Sequence, residues 1–103
     1  MDKCRAAGVT IPIIPGIMPV YTVKLTNILC RVCGATITDA LQKTLDEVAD
    51  KDKETVLQAG IDFAVDQCRD LLKHNPAGLH FYTMNRSKST SDIIDRLRGE
   101  NLL

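Results

Sequence analysis

The sequence predicts an α/β fold with parallel strands, and three observations predict it. Two short runs, about 9–18 and 79–84, are rich in β-branched and aromatic residues. Segments of helical period flank and separate them. Strands that alternate with helices build a parallel sheet through crossovers. Two parallel strands with helices on one side leave edges and a sheet face uncovered. Residues 1–103 therefore read as a single partial domain of a larger α/β protein.

The elements follow in order. Residues 2–8, "DKCRAAG", read as the last turns of a helix closed by Gly8. A helix tail at the start suggests that structure precedes it. Residues 9–18, "VTIPIIPGIM", carry Val9, Ile11, Ile13, Ile14, Ile17 and Met18, as in a strand buried on both faces. Pro12 and Pro15-Gly16 interrupt its ladder, because proline has no N–H to donate. Pro19 disfavours immediate helix entry. Over 21–33, Val23, Ile28, Leu29 and Val32 make an approximate helical stripe, which Gly34 stops. Over 38–48, Ile37, Leu41, Leu45 and Val48 recur on one helix face, with Thr38 as cap and Asp39 favourable in the first turn.

The stretch "ADKDKE", 49–54, is a charged connector, with Asp52 placed to cap the next helix. Residues 54–74 form the strongest helix. Leu57, Ile61, Ala64, Val65, Cys68, Leu71 and Leu72 keep a 3.6-residue period until "HNPAG" breaks it. After the strand 79–84 comes a helix over 89–98. Ser89 and Asp92 stand there in capping-box spacing, and Ile93, Ile94 and Leu97 face inward.

Thirteen basic residues balance thirteen acidic ones, so no basic field exists to hold nucleic acid or an anionic membrane. No run reaches the length of a spanning helix and no signal-peptide pattern opens the chain, which suggests an intracellular, cytoplasmic protein. Four cysteines stand at 4, 30, 33 and 68. The "CRVC" pair lacks the second half of a zinc site and does not follow a strand at a helix start. The reading is ordinary thiols, with a thiol or metal module as the alternative.

Parallel α/β barrels carry their functional groups at the C-terminal ends of strands. That singles out "PGIMP", 15–19, and "YTMNR", 82–86. Tyr82 suits a flat ring system, or else the sheet interior. Arg86 suits a carboxylate, a phosphate or a polar ring edge, or else a surface ion pair. Asn85 suits the turn, Ser87 and Ser89 the helix start, and Gly16 a close backbone approach or a bend. Alternation puts His80 on the same face as Tyr82 and Met84. No triad, phosphate loop or carboxylate pair assembles. The residues alone point to the rim of a small-molecule site.

"IPIIPGIMPV" followed some 60 residues later by "GLHFYTMNR" closely resembles the methylenetetrahydrofolate reductase family, and the resemblance runs from "DKCRAAG" to "IIDRLRG". It implies a TIM (βα)8 barrel that binds FAD and uses NAD(P)H to reduce 5,10-methylenetetrahydrofolate to 5-methyltetrahydrofolate. It places this chain at the C-terminal portion of that barrel, on its seventh and eighth strands. By position, Tyr82 matches a tyrosine that contacts FAD. Met84 matches a position whose backbone lies near the substrate ring, and Arg86 an arginine on the substrate and nicotinamide side. Leu45 aligns near a helix position where some bacterial members place a substrate-stacking phenylalanine, and Lys43 near a polar substrate contact. The family's other flavin contacts lie on earlier strands. The implied partners are the folate substrate and the remainder of the barrel, supplied by another chain or by self-association. The competing expectation is a non-catalytic module that pairs with another barrel fragment.

Overall fold

A computed structural model describes all residues, 1–103. It is α/β, with five helices and two parallel strands. The order is α1 (Asp2–Ala6), β1 (Gly16–Ile17), α2 (Val23–Cys33), α3 (Asp39–Val48), α4 (Lys53–Leu72), β2 (His80–Phe81) and α5 (Ser87–Gly99). None of its helices is long and apolar enough to cross a membrane.

The helices form where the periodicity placed them. The Thr22 hydroxyl caps α2 by accepting from Leu25 N–H at 3.0 Å, and Gly34 closes it in the left-handed region at φ 67°. Thr38 caps α3 in the same way, through Leu41 N–H at 3.2 Å. Asp52 precedes α4 as expected, but its carboxylate takes the Thr55 hydroxyl rather than a backbone N–H. The last helix starts earlier than the capping-box reading placed it. Its N-cap is Arg86, and Ser89 is buried inside the first turn.

The strands are far shorter than 9–18 and 79–84. Pairing is parallel, with Gly16 opposite His80 and Ile17 opposite Phe81. His80 N–H donates to Pro15 O at 2.9 Å and Tyr82 N–H to Ile17 O at 2.8 Å. Pro12, Pro15 and Pro19 have no N–H to extend the ladder, and each strand has one neighbour only. Ile11 and Ile14, read from sequence as buried on both faces, are exposed here. The Arg5 guanidinium ties this extended segment to α1 by donating to Val9 O at 2.9 Å and Ile11 O at 2.8 Å. The α2 stripe likewise finds no cover. Val32 is 73% exposed, and Thr26 is the one buried residue of that helix.

Two apolar clusters hold the rest. The first joins Ile17 to Ile61, Ala64, Val65 and Cys68 of α4 and to Ile93 and Leu97 of α5. The second joins Val20 to Leu45, Val48 and Val56. Burial pushes the Cys68 thiol up to about 11, so it packs as a neutral small hydrophobe. Helix α4 enters both clusters and crosses the segment leaving β1 between them. At the crossing stands Gly60. A Cβ there would collide with the Val20 carbonyl oxygen and lie 3.0 Å from its carbon.

Gly60→Ala therefore has no soft side chain to displace and should cost about 3 kcal/mol or more. Gly78→Ala, with open space around its Cβ, should stay within about 0.5 kcal/mol. Denaturant unfolding of the two variants checks this, and equal stabilities would refute the crossing as described.

Candidate functional site

The site is built on the C-terminal ends of the two strands. After Phe81 the chain turns sharply. Arg86 N–H donates to Thr83 O at 2.8 Å, and both residues between them are left-handed, Met84 at φ 49° and Asn85 at φ 59°. Asparagine tolerates this region; methionine holds it at a cost of about 1–2 kcal/mol. Backbone strain thus sits at the rim, in the two residues before the Arg86 cap of α5. The sequence pointed to a turn at Asn85. It did not signal a left-handed Met84.

Tyr82 is half exposed, and its ring lies over Gly16. A Cβ on Gly16 would meet Tyr82 Cε2 at 2.7 Å, so glycine is what lets the ring seat against β1. The His80 ring packs edge-on against Tyr82 at 4.7 Å between centroids, on the shared face that alternation predicted. Tyr82 and Met84 then line one wall of an open cleft of about 440 Å³ with Met18, Leu29, Cys30 and Cys33. Every residue lining this cleft is apolar. The two CRVC thiols are part of its wall, a placement their spacing did not reveal.

Arg86 points elsewhere. Its guanidinium carbon lies 5.4 Å from the centre of the Tyr21 ring, a cation–π contact. It also borders a polar cavity of about 430 Å³ between the starts of α4 and α5, with Lys53, Gln58, Asn85 and Lys88. Leu45 is 1% exposed in the second cluster, where it packs α3 against Val20. Lys43 is exposed on α3. The structure therefore brings Tyr82 and Met84 together, sets Arg86 on the far side of the rim turn, and keeps Leu45 in the core.

Sequence reasoning missed Tyr21. It is 1% exposed, and its hydroxyl donates to Tyr82 O at 2.8 Å, joining the segment after β1 to the end of β2. Burial raises its pKa, while the neighbouring Thr90 hydroxyl and the Arg86 charge oppose the rise. Thr90 Oγ1 is buried without a partner of good geometry, so Thr90 acts as a nearby dipole rather than a formed bond. The net direction keeps Tyr21 neutral and able to donate. A signal was present: the chain has only two tyrosines, and each follows a strand.

Comparison with known proteins gives one consistent result. The family model described as methylenetetrahydrofolate reductase matches residues 1–98. The chain is 41% identical over 97 residues to methylenetetrahydrofolate reductase 1 of Schizosaccharomyces pombe, covering 94% of this chain and 16% of that protein. It is 36% identical over 97 residues to methylenetetrahydrofolate reductase (NADH) 1 of Arabidopsis thaliana, with the same coverages. It is 31% identical over 96 residues to 5,10-methylenetetrahydrofolate reductase of Escherichia coli, covering 93% of this chain and 32% of that protein. The chain thus spans about a sixth of the eukaryotic relatives and about a third of the bacterial one.

Gly16→Ala should push the Tyr82 ring off its seat, because the clash is with the far end of a flexible side chain. The near-ultraviolet circular dichroism of tyrosine should change, while stability falls by only about 1 kcal/mol. An unchanged tyrosine spectrum would show that the ring does not rest there.

Proposed function

The chain belongs to the methylenetetrahydrofolate reductase family, and from that premise we propose that it forms the C-terminal portion of a FAD-binding TIM (βα)8 barrel. In the full-length protein it would serve the reduction of 5,10-methylenetetrahydrofolate to 5-methyltetrahydrofolate with NAD(P)H. The observation that carries the reading is the paired rim. Two adjacent parallel strands end together, one at Ile17 and the other at Phe81, with an apolar cleft beside them.

The residues present suit part of the cofactor. An all-apolar wall with an aromatic ring and a thioether fits a flat ring system. It offers no charged side chain for phosphates, so those would be held by other segments of the full-length protein. When bound, FAD would supply the hydride relay between NAD(P)H and the folate. Tyr82 and Met84 would orient the ring and exclude water from that wall. Arg86, with five donors in a fixed fork, would bind a polar edge or carboxylate on the substrate side. Leu45 would support that side through α3, since at 1% exposure its side chain meets only protein. Four free cysteines are compatible with a reducing cytoplasm, where we place the protein.

A second reading, a non-catalytic module that pairs with another barrel fragment, draws on exposed Ile11, Ile14 and Val32 around a two-strand sheet. Transplanting residues 1–98 into the S. pombe relative in place of its matching segment separates the two. A catalytic rim yields a flavin-loaded chimera that forms 5-methyltetrahydrofolate. A flavin-loaded chimera without folate turnover would overturn the catalytic reading. In the active chimera, Arg86→Ala should raise the folate KM about tenfold, in line with one lost charged hydrogen bond, and leave flavin retention within about twofold. Unchanged folate kinetics would remove Arg86 from the substrate side.

A further inference from the structure

We infer that Tyr21 is a positioning residue that sets the two rim residues through two separate handles: its hydroxyl fixes the backbone of Tyr82, and its ring seats the guanidinium of Arg86. The inference rests on the reading of the rim given above and deepens it.

The geometry is specific. Tyr21 is the second residue past Pro19 on the segment leaving β1, and it is almost wholly buried. From there its hydroxyl reaches across to the end of β2 and donates to Tyr82 O at 2.8 Å. Tyr82 N–H still donates to Ile17 O, but Pro19, next in register, has no N–H to offer the Tyr82 carbonyl. The side-chain bond thus replaces a ladder bond where the strand pair ends. It fixes the backbone of the residue whose ring lies over Gly16.

The ring does a different task. Arg86 is exposed and is the N-cap of α5, yet its guanidinium sits 5.4 Å from the centre of the Tyr21 ring. A flexible side chain held on an aromatic face loses less freedom when it binds a ligand than one that samples solvent. Arg86 makes none of the ion pairs seen in the structure, which join Arg69, Lys88 and Arg96 to acidic partners. Its donors remain free for a ligand. Tyr21 itself lines neither the apolar cleft nor the polar cavity beside Arg86, so it acts through its neighbours.

The two handles can be cut one at a time in the flavin-loaded, full-length reductase carrying this segment. Tyr21→Phe removes the hydroxyl and keeps the ring. It should weaken flavin affinity about fivefold and leave the folate KM within about twofold, as one neutral hydrogen bond would. Tyr21→Leu removes both handles. It should lower flavin affinity as Tyr21→Phe does, and in addition raise the folate KM about fivefold. Tyr21→Met, whose unbranched side chain adapts better to the emptied space, replaces it where leucine prevents folding. Combined with Arg86→Ala, either aliphatic variant should add nothing further to the folate KM, because the ring then has nothing to seat. Additive effects, or equal folate KM shifts in the Phe and aliphatic variants, would overturn the inference. Lower yield or melting temperature with unchanged KM and flavin affinity would overturn it too, since that is what a purely structural tyrosine gives. Arg86→Ala alone separates the two levels: if it leaves folate kinetics unchanged, the reading of the rim itself has failed.

Discussion

Everything in this chain hangs on the place where α4 crosses the segment leaving β1. Gly60 lets helix backbone meet the Val20 carbonyl with no side chain between them. On one side of the crossing, Val56 joins Val20, Leu45 and Val48. On the other, Ile61, Ala64, Val65 and Cys68 join Ile17, Ile93 and Leu97. One contact therefore sets the height of α4 over the strand and links two clusters that would otherwise be separate. It also fixes Val20, and the next residue, Tyr21, reaches the end of β2. The order of dependence runs from a helix glycine to a strand exit, then to a tyrosine, then to the rim.

Much of this was legible in the sequence, and the parts that were not share a cause. The 3.6-residue period of Ile61, Ala64, Val65 and Cys68 marks an element whose partners are local, and α4 forms where the pattern placed it. Thr38 capped α3 as its chemistry requires. The strands were overread because β-branched composition reports burial against neighbours, and in this structure no element covers Ile11 and Ile14. Ile11, Ile14 and Val32 are apolar and nevertheless exposed. Gly60 was not singled out from the sequence, because only the fold shows that its backbone meets the Val20 carbonyl.

The candidate site divides the same way. Tyr82 and Met84 were singled out at the strand end, and in the structure they share one cleft wall. Arg86 was singled out with them, but the left-handed Met84-Asn85 turn carries it round to the Tyr21 side of the rim. Two positive-φ residues in succession reverse the chain, and alternation along a strand says nothing beyond that reversal. What results is an apolar cleft wall without a charged side chain, and a guanidinium on the other side of the rim turn, at the edge of a separate polar cavity.

The central claim is that these residues supply the ring-facing wall and that the other walls come from the rest of the barrel. FAD titrated into the purified 103-residue chain and followed by flavin fluorescence tests it most directly. The account predicts no saturable binding in the micromolar range, because a single apolar wall leaves the phosphates and the opposite ring face in water. Saturable micromolar binding by this chain alone would contradict it, and would show that these strands complete a flavin site by themselves.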